Sequence, residues 1–350
     1  MASAQHTRRE FLATSLSGLV ASTLGFASQA DPPLLDVHQH SLYTGRTHEQ
    51  LLAHQHLHRV TMTVLLPIEG WMIQGGSSSV TDWDLVVGGN RDCAQVEQEN
   101  PGRFLRFASS DATLSRAVDV LRGNLRRGAI GIGEMKYPVA VDAPEMHRVY
   151  KLAEEMRVPV LLHFEHDMYN TGFERFESVL KAYPNVNFIG HAQTWWGNIS
   201  ADLNPLEMYP KGPVKGGGLT DRWLGEYPNL YGDLSAGSGL NAITRDPDFA
   251  RDFLRRHSRR LIWGSDCNCR DGKGGGLRDG KCIAAGSLAA LRDLVPDRAA
   301  FRQITFENGA TLLGLQPNRD RQGAAGHVSP CPVLTAGQEI RRKHGILLNS

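Results

Sequence analysis

A closed (β/α)8 barrel is the fold this sequence predicts, and three observations predict it. Eight short apolar runs recur along the chain, and helix-spaced segments alternate with them. Most of the runs are apolar throughout rather than alternating, as parallel strands buried on both faces are. A length of 350 residues accommodates eight such units in one barrel. A doubly wound open sheet is the alternative, but no dinucleotide glycine fingerprint opens the chain.

Residues 1–30 read as an export signal. Thr7-Arg8-Arg9-Glu10-Phe11-Leu12 sets paired arginines before Phe-Leu, and no charge follows until Asp31. Ser28-Gln29-Ala30 offers small residues for cleavage. The segment resembles a twin-arginine signal, which predicts a periplasmic or otherwise exported bacterial protein. Polar Ser and Thr within the run argue against a permanent span, so the membrane is expected as a partner only in export.

The first strand is Leu34-Leu35-Asp36-Val37-His38-Gln39-His40, where two apolar residues lead into alternation. Side chains two apart share a face, so His38 and His40 stand together at its carboxyl end. Glu49 to Val60 is a helix whose His54 and His58, one turn apart, read as a solvated face. Val60 to Pro67 is the second strand. The Gly- and Ser-rich loop from Glu69 to Gly89, with Trp71 and Trp83, is of the long kind that carries function.

Asn90 to Asn100 is helical, Phe104 to Ala108 is a strand, and Ser115 to Arg127 is an amphipathic helix. Gly128 to Lys136 gives a glycine-rich fourth strand, and Ala143 to Arg157 its helix. The fifth strand, Val160 to His163, and the sixth, Asn187 to His191, both end on histidine. Between them Phe173 to Ala182 is a helix that Pro184 stops. Leu219–Glu226 (helix), Leu230–Leu234 (strand), Asp248–Arg256 (helix) and Leu261–Asp266 (strand) complete the eight units. Helices at Leu288–Leu294 and Ala299–Leu313 close a barrel spanning 31–315, and 316–350 reads as a tail.

The composition, 41% hydrophobic and 21% charged, is that of a globular protein. Without residues 1–30 the chain is formally neutral, which argues against a nucleic-acid partner and leaves a small-molecule substrate. Five cysteines make an odd number. Cys267, Cys269 and Cys282 share one Gly-rich loop, where an oxidising periplasm favours a disulfide over a separate thiolate metal site, whose usual zinc spacings the loop does not match.

Active sites of such barrels lie at the carboxyl ends of the strands. Six residues sit at five of those ends: His38, His40, Glu134, His163, His191 and Asp266. Packing alone would favour apolar side chains there, so imidazoles and carboxylates on five separate strands point to a metal site.

These motifs resemble the amidohydrolase superfamily, in its amidohydrolase-related branch. Asp36-x-His38-x-His40, Gly190-His191 and Trp263-Gly264-Ser265-Asp266 match its strand-one, strand-six and strand-eight signatures, and Asn308 to Leu315 is similar to its closing helix. The match spans about residues 34–315. Two departures stand out. Gly133-Glu134 takes the place where many relatives carry a carboxylated lysine, with Lys136 as the alternative bridge, a substrate contact or a surface residue. Cys267-Asn268-Cys269 follows the last aspartate instead of an aromatic and a proline.

The resemblance implies a divalent ion on His38, His40 and Asp266, with His163, His191 and Glu134 completing a second or bridging site. Zinc suits the nitrogen-rich set, and manganese is the other choice. The implied reaction is hydrolysis of an amide, ester or lactone bond of a small molecule by metal-bound hydroxide, with Asp266 moving the proton. His191 would be a ligand or would polarise the scissile carbonyl. The alternative is a lyase, a metal-dependent decarboxylase of a small aromatic or unsaturated acid, working with one ion. Trp71, Trp195 and Trp196 read either as an apolar wall for substrate or as caps on the barrel. Arg46 and Arg270 would meet a substrate carboxylate or lie on the surface. Asp233 is expected to support a ligand, and Asp36 to lie buried just below the ligands.

Overall fold

The computed structural model describes residues 32–69 and 87–315. The export segment, the part of the second-strand loop that carries Trp71 and Trp83, and the tail lie outside the described residues. Contacts divide the chain after Pro32, and the barrel belongs to the unit that begins at Pro33.

Eight strands run in sequence order: β1 (Leu35–Gln39), β2 (Met62–Leu65), β3 (Phe104–Arg106), β4 (Ile132–Met135), β5 (Val160–His163), β6 (Phe188–His191), β7 (Leu230–Asp233) and β8 (Leu261–Ile262). All pairings are parallel, within β1–β3 and within β4–β8. Main-chain hydrogen bonds close both gaps. Ala108 N donates to Gly131 O at 2.9 Å and Gly133 N to Ala108 O at 2.8 Å, while Val37 N reaches Trp263 O at 3.3 Å. The predicted (β/α)8 barrel is the fold observed.

Around the strands lie α1 (His48–Leu57), α2 (Asn90–Glu99), α3 (Ala117–Arg126), α4 (Pro144–Met156), α5 (Phe176–Ala182), α6 (Gln193–Gly197) and α7 (Leu219–Glu226). They continue with α8 (Ala236–Thr244), α9 (Pro247–Arg256), α10 (Ile283–Leu294), α11 (Arg298–Arg302) and α12 (Asn308–Leu312), with one π turn, Gln303–Glu307, before the last. Of these, α6 and α8 carry no sequence signal. The first is five residues long, and the second, Ala-Gly-Ser-Gly-Leu-Asn-Ala-Ile-Thr, is poor in helix formers. Packing overrides propensity in α8, where a Cβ on Gly239 would stand 2.6 Å from the backbone of Leu234.

Strand β8 is shorter than expected because the chain after Ile262 bonds elsewhere. Trp263 N donates to Ile304 O at 3.0 Å and Ser265 N to Asp36 Oδ1 at 2.8 Å. An apolar cluster including Val37, Leu161, Ile189 and Ile262, closed by Ala310 and Leu313, gathers residues from the strands. Leu161 and Ile189 lie two residues before His163 and His191, so those histidines continue the faces that this cluster covers lower down.

On the outer layer, the Asp221 carboxylate of α7 accepts from Arg256 at 2.6 and 3.2 Å and bonds His257 Nε2 at 2.7 Å. Burial opposes its charge, but His257 and Arg256 outweigh it and bring the carboxyl down to about 2. A carboxyl depressed on folding contributes stability that is complete above its unfolded value, about 4, and is lost as pH falls through the folded one. Asp221→Asn should therefore lower urea-unfolding stability at pH 7 by on the order of 2 kcal/mol. The gap to the parent should narrow as pH falls from about 4 to about 2; a gap unchanged by pH would refute this origin.

Candidate metal centre

His38, His40 and His191 at the barrel mouth each have one nitrogen engaged, which turns the other towards a shared point. His38 Nδ1 lies 2.7 Å from Asp233 Oδ2, and His40 Nδ1 lies 2.6 Å from the Leu66 carbonyl. His191 Nδ1 lies 3.0 Å from Ser235 Oγ, which itself donates to Asp233 Oδ2 at 2.7 Å. With their Nδ1 atoms so held, His38 and His40 donate there, leaving Nε2 with a free lone pair.

The free atoms converge. His38 Nε2 is 3.3 Å from His40 Nε2, 3.7 Å from Glu134 Oε2 and 3.8 Å from Asp266 Oδ1. His40 Nε2 is 3.3 Å from Glu134 Oε2 and 3.5 Å from Asp266 Oδ1. His191 Nε2 is 3.6 Å from Glu134 Oε1 and 3.7 Å from Asp266 Oδ2. His38 belongs both to a set with Glu134 and His191 and to a set with His40 and Asp266. Five of the six predicted ligands thus converge at the barrel mouth, in two overlapping sets that share His38.

His163 stands a step back from it. Its Nδ1 is hydrogen-bonded to Glu134 Oε1 and its Nε2 lies 3.2 Å from Glu165 Oε2. It holds the glutamate rather than joining the converging nitrogens, which departs from the expectation of a second metal position built on His163.

The donors suit a divalent cation. Buried and, among the described residues, without a hydrogen-bond partner, His191 Nε2 and Asp266 Oδ1 both face this point. Orphaned polar atoms of this kind are costly unless something binds them. Burial and the neighbouring His38 hold His191 well below its usual range. Burial opposes a charge on His38 too, but Asp266 and Asp233 outweigh it and hold that imidazole well above its usual range. Glu134 is buried, yet His163, His38 and His40 keep its carboxyl well below the usual range. The carboxylates therefore draw positive charge to this point, whether a proton or a metal ion.

Several side chains were not legible as site residues. Ser235 ties His191 to Asp233; its position two residues after Asp233 at the same strand end was the available signal. Tyr43, buried edge-on to His40 at 4.9 Å between ring centroids, is kept protonated by burial and by the charges of Asp266 and Glu134. Gly264 permits a close approach: a Cβ there would lie 2.7 Å from both His38 Cβ and Asp233 Oδ1.

Lys136 is half-buried with Nζ 5.5 Å from the Tyr169 ring centroid, and its charge bears on Glu165 and His191. Arg270 is exposed in the loop after β8. Arg46 is fully buried, correcting its reading as a surface arginine, and Trp71 lies outside the described residues. Trp195 is fully buried too, stacked on Phe164 and packed where a Cβ on Gly190 would stand 2.3 Å from its ring. It caps the barrel from within and offers substrate no face, a correction to its reading as a substrate wall. Beside the centre, Glu165, Met168, Gln193 and Leu206 help line a cleft of about 400 Å³.

No family model matches this chain, and no curated protein does. Solved structures do. A probable 2-pyrone-4,6-dicarboxylic acid hydrolase from Acinetobacter baumannii with citric acid bound is similar at 15% identity and a TM-score of 0.52, over 80% of this chain and 99% of that one. An uncharacterized TIM-barrel protein from Bordetella bronchiseptica is similar at 16% identity and 0.54, over 81% and 99%. A structure named as an amidohydrolase II is similar at 17% and 0.52, over 80% and 99%. At these identities the likeness establishes the fold, a TIM barrel.

Asp233 fixes His38 without standing among the five converging donors, so its neutral isostere tests the arrangement. Asp233→Asn should leave the circular dichroism spectrum unchanged while weakening binding of a divalent metal roughly 10- to 100-fold in a chelator competition. Unaltered affinity would show that the Asp233–His38 bond does not orient the ligand.

Proposed function

We propose that the chain is a metal-dependent hydrolase of the amidohydrolase superfamily, in its amidohydrolase-related branch, acting on an amide, ester or lactone bond of a small molecule. The observation that carries this reading is the convergence of three imidazoles and two carboxylates at the mouth of a closed barrel. His38, His40, His191, Glu134 and Asp266 would hold the ion, with zinc the best match to three nitrogen donors. Bound there, a divalent cation supplies Lewis acidity to the scissile carbonyl and to the attacking water.

The protein's own groups do the rest. Asp266, with its side chain 11% exposed against 2% for Glu134, is the carboxylate open to the substrate side. It takes the proton of the attacking water and delivers it to the leaving group. Tyr43 stays protonated beside it and donates a hydrogen bond to the developing oxyanion. Lys136, at the end of β4, meets a carboxylate on the substrate. The reading extends to residues 1–30, which would carry the folded enzyme out of the cytoplasm.

Decarboxylation of a small aromatic or unsaturated acid is the second reading. One observation favours it: His163, expected at a second metal position, is engaged by Glu134 and Glu165, whereas a pair of ions was the arrangement that leaned towards hydrolysis.

The deciding experiment is a screen of the metal-loaded protein against ester, lactone, amide and aromatic-acid panels, with ions per chain counted by mass spectrometry. Hydrolysis is expected, and it should disappear together with the ion held at the barrel mouth in the His38→Ala/Asp266→Ala double variant. Carbon dioxide release without hydrolysis would select the lyase, and turnover that survives in the double variant would end both readings. On an anionic substrate Lys136→Ala should raise KM roughly tenfold with little change in kcat. Equal losses on neutral and anionic substrates would remove Lys136 from substrate binding.

A further inference from the structure

A second cluster of metal-binding side chains lies away from the converging donors, in the loop that follows β8. His54, Cys267, Cys269 and Cys282 bring one imidazole nitrogen and three sulfurs within 4.8 Å of one another, and all four residues are buried. His54 lies on α1, and the cysteines enter from residues 267–282. The expected disulfide within the loop is absent: among the described residues all three cysteines are free, and the Cys267 and Cys282 sulfurs are 3.6 Å apart, where a bond requires about 2.05 Å. The reading of His54 as part of a solvated face is likewise corrected, since it is fully buried.

The distances match a tetrahedral ion. Zinc–sulfur bonds of about 2.3 Å and zinc–nitrogen bonds of about 2.0 Å separate two sulfurs by about 3.8 Å and a sulfur and a nitrogen by about 3.5 Å. The structure has 3.6 Å between the Cys267 and Cys282 sulfurs and 3.5 Å from Cys282 Sγ to His54 Nε2. The surroundings are those of a ligand set. His54 Nδ1 is 3.1 Å from Gln55 Oε1, which leaves Nε2 for the ion. Gly274 N donates to Cys269 Sγ at 3.0 Å, and His58 Nε2 stands 3.3 Å from Cys282 Sγ. Such hydrogen bonds orient metal-bound thiolates.

Charge agrees as well. Three thiolates and a neutral imidazole around a dication leave one net negative charge. Arg46 is fully buried, and among the described residues no carboxylate reaches it within salt-bridge distance. Its guanidinium donates instead to the carbonyls of Cys267 at 2.7 Å and Cys269 at 3.3 Å, so a cation backs the very loop that would carry the negative centre.

We propose that His54, Cys267, Cys269 and Cys282 form a closed structural zinc site, separate from the centre at the barrel mouth. Four protein ligands fill a tetrahedral ion and leave no position for substrate, which makes the site structural rather than catalytic. Binding releases the protons of the three thiols and staples the β8 loop to α1. Cys267 directly follows Asp266, so the staple fixes the chain next to the carboxylate at the barrel mouth.

The test counts metal in the full-length protein purified with zinc. His38→Ala/His40→Ala disables the mouth and should retain one zinc per chain; adding Cys269→Ser/Cys282→Ser should remove it. Because the cysteine variant could unfold, the parent supplies an independent readout. Titration with an organomercurial should release this zinc, and cobalt loading should give a thiolate-to-cobalt charge-transfer band in the near ultraviolet. A metal-free His38→Ala/His40→Ala protein, a Cys267–Cys282 disulfide in peptide mapping, or cobalt-loaded protein without the thiolate band would each overturn the proposal. None of these outcomes depends on which reaction the mouth performs.

Discussion

Three imidazoles can face one buried point only if each has its other nitrogen occupied, and the mouth of this barrel is arranged around that requirement. Asp233, the Leu66 carbonyl and Ser235 take the Nδ1 atoms of His38, His40 and His191. They come from the ends of β2 and β7, so the barrel must be closed before the set exists. Ser235 bonds both Asp233 and His191, which makes the orientations of two imidazoles interdependent. A buried polar atom with no partner costs about 1–3 kcal/mol, so the layer beneath the donors carries as much of the energetics as the donors themselves.

Charge sets the next constraint. Asp233 and Glu134 are buried beside His38, and Asp266 is nearly so. Burial raises the Asp233 carboxyl, against the pull of His38. Glu134 stays charged because His163 pairs with it from behind while His38 and His40 approach from the front. That division explains why His163 stands back: it balances the glutamate, and the glutamate faces the centre. The arrangement attracts a cation without a lysine-derived bridge. Lys136 rests instead against Tyr169.

Strand ends were the legible part of this molecule. A parallel strand in a barrel shows itself as an apolar run, and its last residue lies at the rim whatever the neighbours do; hence His38, His40, Glu134, His191 and Asp266 could be picked out before any contact was known. What periodicity does not report is depth. His54 and Trp195 looked like a helix face and a loop residue, yet both are fully buried. Arg46 is buried because four acceptors converge on it, three of them from residues 39, 40 and 267, a convergence created only by closure between β1 and the segment after β8. Parity also failed locally. The pairing of β1 with β2 shifts register between Asp36 and Gln39, and Asp36 is engaged by Gln55 of α1 and by Ser265.

The seam between the first and last strands shows why that irregularity matters. Asp36 accepts from Ser265 N and Oγ at 2.8 and 2.6 Å, and Gln39 Nε2 donates to Ser265 Oγ and to the Cys267 carbonyl at 2.6 and 3.1 Å. Residues 265 and 267 are thus gripped on either side of Asp266, whose own amide donates to His38 O at 2.8 Å. Asp266 has φ of 45°, a left-handed conformation that costs a non-glycine residue on the order of 1 kcal/mol. It persists because both flanking residues are anchored to β1, the strand that supplies His38 and His40. The register shift in β1 and the left-handed turn at Asp266 are therefore two halves of one device that brings a carboxylate from the last strand over two imidazoles from the first.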